Sequence, residues 1–375
     1  MSLRIVNSQF HTTKKLAITM GDPGGIGPEI IIKAINSSEV RNICSPVVIG
    51  NAYIMRDALD LLNLPLKIRI INSITDSKPS KRIIEVIDVI PPTPPLRKVG
   101  IKKGDLVKGG LSMEEISMEK ISKVLRKNSK TNFFIKNKPA AEGGYACVSY
   151  IKKAVELALD RQVDGIVTAP ISKEALKMAG FKWPGHTEML ADLTDTKDYA
   201  MMLVGGQLRV ILVTIHTALK NVPNLITRQK ILKTIRLAKK ACEMLKIKNP
   251  RIAVAGLNPH AGEAGIFGDE EIKKIIPAIK EAIREGIPVS GPHPPDTVFH
   301  KAYKGDTDIV VCMYHDQGLI PLKMIAFDKG VNVTIGLPFV RTSPDHGTAY
   351  DIAWKGIANP SSMIEAITLT ARLRI

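Results

Sequence analysis

Three histidines in the second half of the sequence follow apolar segments that have the length of buried strands. They are His216, His260 and His315, and polar residues surround each of them. Three neutral imidazoles with one open coordination position commonly hold a catalytic divalent metal. If the strands end at the same edge of a sheet, the three side chains share one site. The alternative is that each imidazole only hydrogen-bonds within its own loop.

Two aspartates lie in the same part of the sequence. Asp316 follows His315 directly, and Asp296 lies in the segment 295–299. Carboxylates near a metal act as outer ligands, orient the histidine ligands or accept a proton. We therefore take Asp296 and Asp316 as candidate catalytic residues.

A second set of polar residues is suited to an anion. His186 and Thr187 precede a helical stretch whose first amides can bind an anion, although Thr187 also fits an ordinary helix cap. Lys323, Asn332 and Arg341 are isolated within or beside a long apolar stretch. Arginine binds phosphate or carboxylate through two parallel hydrogen bonds and lysine acts as a point charge, although both can also extend from a sheet edge to water. These five are candidate substrate-binding residues.

The elements that position these residues alternate between apolar runs and helical patterns. The run 16–20 leads through the glycine-rich loop 21–27 into a helix, and the loop lacks the G-x-G-x-x-G pattern of a conventional dinucleotide site. The alternation predicts an α/β protein with a mainly parallel, doubly wound sheet. Further strands are predicted near 46–49, 165–169, 200–204, 210–214, 252–255 and 308–312, and helices near 58–62, 145–160, 227–245 and 269–284.

Composition and length exclude several classes of protein. The chain has 375 residues, enough for about two domains. With 45% hydrophobic and 24% charged residues it is typical of a globular protein, and no apolar run is long enough to span a bilayer. The four cysteines are widely spaced and the N-terminal segment lacks the apolar core of a secretion signal. We therefore expect buried, unpaired cysteines and a cytoplasmic protein with no membrane partner.

The formal charge of +17 raises the question of an anionic partner. The lysines are dispersed, and no arginine-rich block alternates with aromatic residues as a nucleic-acid groove would require. The pattern fits an anionic small molecule, phosphorylated or carboxylated, and predicts no nucleic-acid partner. A basic binding module without catalytic activity is the alternative.

A lysine-rich stretch at about 106–138 interrupts the alternation. The prolines at 91–95 predict a stiff break before it. Ser112 and Glu115 form the pattern of a capping box, which predicts a helix to about Lys127. We expect this stretch to be a peripheral insertion.

The motifs together resemble the 4-hydroxythreonine-4-phosphate dehydrogenase family of pyridoxal phosphate biosynthesis, which is related to the isocitrate and isopropylmalate dehydrogenases. The resemblance covers 16–375 apart from the lysine-rich stretch. It rests on I-T-M-G-D-P with G-I-G-P-E at 18–29, V-T-A-P-I at 167–171, G-H-T-E at 185–188, N-P-H-A-G-E at 258–263, Y-H-D-Q-G at 314–318, and G-L-P-F through R-T-S to D-H-G-T-A at 336–349.

The resemblance implies two α/β/α domains with mainly parallel, doubly wound sheets and an interdomain cleft. The first domain would comprise 16–150 plus 331–375, and the second 151–330, with the metal site and the dimer contacts. It also implies a homodimer with the site at the subunit interface. The implied activity is oxidation of 4-phosphooxy-L-threonine to a β-keto acid, which decarboxylates to 3-amino-2-oxopropyl phosphate.

The resemblance also implies roles for individual residues and a use of NAD or NADP without the conventional glycine loop. One divalent ion, Zn, Mg, Co or Mn, is expected. The implied metal ligands are His216, His260 and His315, with the Asp296 carboxylate beside the metal; the implied substrate-binding residues are His186, Thr187, Lys323, Asn332 and Arg341; and His346 would lie beside the adenosine of the cofactor.

Two further enzymatic functions stay open. A dehydrogenase acting on 4-phospho-D-threonate or 4-phospho-D-erythronate would keep the same metal site. A metal-dependent phosphoester hydrolase would use the histidines and carboxylates to activate water. One residue departs from the family, because Trp354 stands where relatives more often have glycine, so the cofactor side of the site is expected to differ in detail.

Overall fold

The computed structural model describes residues 13–89 and 135–375. The predicted proline break at 91–95, the predicted helix that starts near Ser112 and most of the lysine-rich stretch lie outside the described residues. The predicted strands and helices elsewhere are present, with ends that differ by a few residues.

The strands of the described part form one continuous sheet of twelve. They are β1 (Lys14–Thr19), β2 (Cys44–Gly50), β3 (Lys67–Ile71), β4 (Ile83–Asp88), β5 (Gly165–Thr168), β6 (Ala200–Gly205), β7 (Leu208–Leu212), β8 (Ile252–Ala255), β9 (Val289–His293), β10 (Ile309–Cys312), β11 (Val331–Ile335) and β12 (Val340–Pro344). Their order in the sheet is β3-β4-β2-β1-β5-β12-β11-β6-β7-β10-β8-β9.

The sheet contains two parallel groups of strands that run in opposite directions. The strands from β3 to β12 in the sheet order are mutually parallel, and so are those from β7 to β9. β11 and β6 lie between the groups and pair antiparallel with each neighbour, which reverses the direction. The β6–β7 hairpin turns at Gly206, whose φ of 58° suits a tight turn. This hairpin was not among the predictions, although the pair Gly205–Gly206 between two apolar runs is a hairpin signal.

The helices flank the sheet. They are α1 (Gly27–Asn36), α2 (Ser38–Ile43), α3 (Ala52–Leu62), α4 (Ala141–Leu159), α5 (Lys173–Met178), α6 (His186–Leu193), α7 (Val222–Leu225), α8 (Arg228–Met244), α9 (Ile276–Arg284), α10 (Pro295–Lys304), α11 (His315–Ala326) and α12 (Ser361–Arg372). Shorter turns lie at Ile74–Asp76, Leu219–Asn221, Pro259–Gly265, Glu271–Ile275 and Phe327–Lys329.

The glycine-rich loop between β1 and α1 packs directly on the end of β5. Gly21 has a φ of 73°, and a Cβ atom there would lie 2.4 Å from the carbonyl oxygen of Pro170. Only glycine allows both this backbone conformation and this close approach. The loop therefore lies beside the residues that lead from β5 towards α6.

The core consists of the central strands and the inner faces of the helices. Every residue of β5, β8 and β10 is buried, as expected for parallel strands that are covered on both faces. All four cysteines are buried and unpaired, as predicted. Within the described ranges, no helix is long and apolar enough to cross a membrane.

The predicted α/β class with a mainly parallel sheet is confirmed. The strands of both proposed domains belong to the one continuous sheet. The division into 16–150 plus 331–375 and 151–330 stays a prediction.

Candidate functional site

His216 and His315 lie side by side beyond the ends of two neighbouring strands. β7 and β10 are parallel partners in the sheet, so the loops that follow them leave the same edge. The Thr214 hydroxyl donates to the carbonyl of Met313 at 2.7 Å and holds the two loops together. The imidazole centroids of His216 and His315 are 5.4 Å apart. The predicted convergence of strand-end histidines therefore holds for this pair.

Both imidazoles of the pair are suited to binding a metal. His315 is the first residue of α11, and its Nδ1 lies 2.7 Å from Oδ1 of Asp316, which fixes the ring orientation and leaves Nε2 available. Burial lowers the pKa of His216, and Lys173 lowers that pKa further. Glu188 acts on the pKa in the opposite direction. The net shift favours the neutral imidazole, which is the form that coordinates a metal.

His260 does not join this pair. It lies exposed in the turn Pro259–Gly265, where every residue from His260 onward has a positive φ. Its ring centroid is 6.1 Å from that of Phe267. Within residues 13–89 and 135–375, no group of three or more His, Cys, Asp or Glu side chains is placed to hold a metal ion. One chain therefore brings together two of the three predicted ligands.

A buried glutamate that the sequence reading missed holds the base of the His260 turn. Glu271 is 2% exposed. Its Oε1 accepts the amides of Leu257 at 2.7 Å and Asn258 at 2.8 Å, and its Oε2 accepts the side-chain amide of Asn258 at 2.9 Å. These bonds compensate for the conformational cost of the left-handed turn beyond Asn258.

A second missed residue connects the loops after β8 and β10. The Gln317 carbonyl oxygen accepts the amide of Met313 at 2.7 Å. Its side-chain amide donates to the carbonyl of Gly256, also at 2.7 Å. Gln317 therefore fixes the start of the His260 segment relative to the His315 loop, although the two histidines themselves are not brought together.

Arg341 lies inside the sheet on β12 and is 1% exposed. Its Nη1 donates to the Thr334 hydroxyl at 3.0 Å, and its Nη2 donates to the Thr168 hydroxyl at 2.6 Å. Its Nε is buried and has no hydrogen-bond partner among the described residues. Burial lowers the pKa of Arg341, and the Glu188 carboxylate opposes that shift. Because a guanidinium stays protonated in proteins, this position is a buried positive charge.

Two other predicted substrate-binding residues, His186 and Asn332, have buried polar atoms without a partner, and a third, Thr187, is buried nearby in the sequence. Nε2 of His186 and Oδ1 of Asn332 are buried and lack a hydrogen-bond partner in the described part of the chain. Burial shifts the pKa of His186 well below its ordinary value, and Arg341 lowers it further. Thr187 is buried in the first turn of α6. Buried polar atoms are normally paired, so Nε2 of His186 and Oδ1 of Asn332 are candidate contacts for a ligand.

Lys323 and His346 lie around a further carboxylate, Asp345, which the sequence reading also missed. Nζ of Lys323 is 3.6 Å from Oδ2 of Asp345. Burial raises the pKa of Asp345, whereas Lys323, His315 and His346 lower it. His346 is exposed, and its Nδ1 lies 3.1 Å from the carbonyl of Gly347. His346, the predicted cofactor contact, and His315 of the histidine pair therefore both act electrostatically on Asp345.

The two predicted catalytic aspartates are both exposed. Asp316 is bonded to His315, as described above, whereas Asp296 lies in the first turn of α10. The role of each aspartate stays a prediction.

Trp354 is hydrogen-bonded to the glycine-rich loop. Its indole Nε1 donates to the carbonyl of Pro23 at 3.0 Å, and its backbone amide donates to the Glu29 carboxylate. Nζ of Lys136 lies 4.0 Å from the centroid of the indole ring, a cation–π contact. Trp354 therefore has a defined place beside the start of α1, and its relation to a cofactor stays a prediction.

Comparison with known proteins gives a consistent result. Residues 42–370 match the family described as pyridoxal phosphate biosynthetic protein PdxA. A 4-hydroxythreonine-4-phosphate dehydrogenase from Desulforapulum autotrophicum is 44% identical, with 95% of this chain and 94% of the relative covered. A D-threonate 4-phosphate dehydrogenase from Pectobacterium atrosepticum is 43% identical, with 96% and 99% covered. The crystal structure of 4-hydroxythreonine-4-phosphate dehydrogenase from Klebsiella pneumoniae is 40% identical and superimposes with a TM-score of 0.79, with 96% and 98% covered.

Proposed function

The chain belongs to the pyridoxal phosphate biosynthetic protein PdxA family, and we propose that it oxidises 4-phosphooxy-L-threonine with a nicotinamide cofactor and a divalent metal. The enzyme removes hydride from the carbon that bears the secondary hydroxyl and transfers it to NAD or NADP. The hydroxyl proton is released, and the resulting β-keto acid loses carbon dioxide to give 3-amino-2-oxopropyl phosphate.

One observation carries this proposal: the buried arginine and the histidine pair lie at the same level of one sheet. The strand pairings from β12 through β11, β6 and β7 to β10 place Arg341 level with Leu212 and Cys312, the last residues of β7 and β10, and these strand ends lead to His216 and His315. A small substrate with a phosphate at one end and a hydroxyl further along the chain fits between two such groups. The cationic group binds the phosphate, and the histidine pair lies near the reacting carbon.

The residues of the anion-binding part orient the substrate. Arg341 offers hydrogen-bond donors from a fixed guanidinium plane, and His186 supplies a buried ring nitrogen. Lys323 is a more mobile point charge on the exposed face of α11. Their contribution is to hold the carbon that loses hydride in place, because positioning lowers the barrier without any bond being made to these residues.

The residues of the histidine part fit a divalent ion, zinc, magnesium, cobalt or manganese. His216 and His315 would hold it, with His260 as the third ligand. When bound, such an ion supplies Lewis-acid stabilisation of the negative charge that develops as hydride leaves. Asp316 keeps His315 in the ligating orientation, and Asp316 and Asp296 are the candidate proton acceptors. His346 is the candidate contact for the adenosine.

Exposed apolar residues on the segments that follow His216 and His315 support a homodimer that completes the site. Leu219 follows His216 by three residues and is 67% exposed. Met324 and Phe327, on and just after α11, are 84% and 76% exposed. Large exposed apolar side chains of this kind are typical of a protein interface. A partner subunit seated here would cover them and supply the His260 that one chain does not bring to its own pair.

A second candidate function is oxidation of 4-phospho-D-threonate. It is favoured by a 43% identical relative with the name D-threonate 4-phosphate dehydrogenase. The two substrates differ at the group next to the carboxylate, and a site discriminates between them by the hydrogen bonds that it offers there.

Spectrophotometric assays test both functions. The protein is loaded in turn with zinc, magnesium, cobalt and manganese, and reduction of NAD and of NADP is followed with each phosphorylated substrate. We expect metal-dependent reduction with a larger kcat/KM for 4-phosphooxy-L-threonine. Turnover of the threonate alone would contradict this substrate assignment. Release of inorganic phosphate without any nicotinamide would contradict the dehydrogenase and favour a phosphoester hydrolase.

A further inference from the structure

Arg341 is held from both sides by two hydroxyl groups that belong to neighbouring strands. β12, which carries Arg341, lies between β5 and β11 in the sheet. The Thr168 hydroxyl comes from β5 and is fully buried, and the Thr334 hydroxyl comes from β11 and is 1% exposed. Val333 pairs with Thr342 across the antiparallel junction, so Thr334 and Arg341 follow as the next cross-strand neighbours.

We propose that Thr168 and Thr334 are positioning residues, which hold the Arg341 guanidinium in the plane that the substrate phosphate requires. This inference rests on the proposed substrate-binding role of Arg341. A guanidinium has five N–H donors, and the two threonines occupy one on Nη1 and one on Nη2, which leaves three of the five. One of the remaining donors, on Nε, is buried and without a partner in the described residues.

The chemical type of the two acceptors supports a positioning role. A hydroxyl oxygen is a neutral acceptor, so it fixes the direction of the guanidinium without placing a negative charge on it. A carboxylate would satisfy the same donors and would compete with the phosphate for the charge. In the described residues the arginine–carboxylate ion pairs are formed by Arg69, Arg228, Arg236 and Arg251, and three of these four arginines are on the exposed surface.

The position of both threonines in the sheet makes the orientation rigid. A strand in the middle of a sheet is fixed by hydrogen bonds to its neighbours on both sides, so the three side chains keep their spacing before the substrate arrives. Binding then requires little reorganisation, which favours affinity. Lys323 lacks this support from the sheet, because it is an exposed residue of α11, and its ammonium group is 3.6 Å from Asp345.

Thr168→Val and Thr334→Val test this inference, because valine keeps the side-chain shape and removes only the hydroxyl. Calorimetry would measure Kd for 4-phosphooxy-L-threonine and for inorganic phosphate, and kinetics would separate KM from kcat. We expect each valine variant to raise Kd and KM roughly three- to tenfold with a smaller change in kcat, which is less than the full cost of a lost hydrogen bond to a charged group because the hydroxyl acts on the phosphate only through the guanidinium. Thr168→Ser and Thr334→Ser should restore most of the affinity.

Thr342→Val is the matched control. Thr342 is the next residue on β12, and its hydroxyl lies 2.7 Å from that of Thr370 and donates to the carbonyl of Ala366 at 2.9 Å. This variant should lower Tm and leave Kd unchanged. If the Thr168 and Thr334 variants lowered Tm in the same way and left Kd unchanged, the two threonines would be purely structural and the inference would be wrong.

The binding data also separate this inference from the proposed function. A wild-type protein that binds phosphate but reduces no cofactor would refute the function, and loss of that binding in the valine variants would still support the inference. If the wild-type protein is active and all valine variants keep the wild-type Kd and KM, the proposed function stands and the inference is overturned. Failure of the wild type to bind either phosphate or 4-phosphooxy-L-threonine would overturn it as well.

Discussion

The anion-binding part and the histidine part of the candidate site are built in different ways. Arg341 and its two threonines lie on three adjacent strands of one chain and are buried. The histidines lie beyond the ends of β7, β8 and β10, and one chain brings together only His216 and His315. The arginine and its threonines are therefore fixed by the sheet, whereas the histidines lie on the segments that follow the strands.

This difference indicates how the work of the enzyme is divided. A buried charge held by a rigid sheet can recognise the phosphate in a single subunit, because its geometry exists before binding. Metal ligands on loops can be brought together with those of a second subunit more easily than residues within a sheet, because a small movement of a loop repositions them without disturbing the core. We therefore expect substrate anchoring to be a property of one chain, and metal binding to be a property of the dimer.

The largest effect is expected at the histidine pair. His315→Ala should lower metal content and kcat/KM by more than about 100-fold, since loss of a partner that only orients a ligand already costs 10- to 100-fold. Thermal stability should change little, because the side chain lies at a helix start outside the core. Metal analysis and steady-state kinetics check this, with His300→Ala, an exposed histidine on α10, as the control. Unchanged metal content would show that the pair is not a metal site.

Arg341→Lys tests the anion-binding part. The lysine keeps the charge and loses the paired donors, so KM for the phosphorylated substrate should rise about 10- to 100-fold, which corresponds to loss of a charge-assisted contact. Metal content should stay at the wild-type level, because the two parts are built separately. Arg236→Lys, at an exposed ion pair with Glu285, is the control. Full retention of kcat/KM by Arg341→Lys would contradict the substrate-binding role of Arg341.

Met324→Glu tests whether the histidine part depends on a partner subunit. A charge at this exposed apolar position should weaken the dimer and lower metal affinity about tenfold, because a buried carboxylate without a partner is unfavourable in an interface. Binding of inorganic phosphate should persist. Sedimentation and metal titration measure both effects, with Ile357→Glu, at a 65% exposed apolar residue outside the histidine loops, as the control. A monomer with wild-type metal affinity would contradict the account.

Glu271→Gln should have the smallest effect. An amide at this position accepts fewer of the hydrogen bonds from Leu257 and Asn258, so the His260 turn should loosen. We expect a roughly three- to tenfold weaker metal affinity and faster hydrogen exchange in the turn. Glu285→Gln, at an exposed carboxylate, is the control. Equal exchange rates in the variant and the wild type would show that Glu271 does not hold the turn.

The sequence predicted the fold class and part of the site for identifiable reasons. Apolar runs of strand length that alternate with helices gave the α/β class, and the neighbouring positions of β7 and β10 bring His216 and His315 together as expected. The direction reversal was not predicted, although Gly205–Gly206 is a Gly-Gly pair between two apolar runs, which is a hairpin signal. The conformation of His260 was not predicted either, since Glu271, which holds its turn, is related to it by no spacing rule.

The surroundings of Arg341 show a further limit of sequence analysis. Thr168 and Thr334 read as ordinary strand residues, because threonine has a high preference for strands. Their relation to Arg341 depends on strand order, in which β12 lies between β5 and β11 although β5 is far from both in sequence. Local patterns carry no information about such pairings. Asp345 and Gln317 were missed for the same reason.

Hybrid dimers test the shared metal site most directly. His216→Ala and His260→Ala are each expected to be inactive as homodimers, and the two are mixed under conditions that exchange subunits. If His260 serves the partner's pair, each hybrid contains one intact site, and a random mixture should recover about one quarter of wild-type activity and metal content, since half of the dimers are hybrids with half of their sites intact. No recovery above the separate variants, with hybrid formation verified, would contradict a site that is shared between subunits.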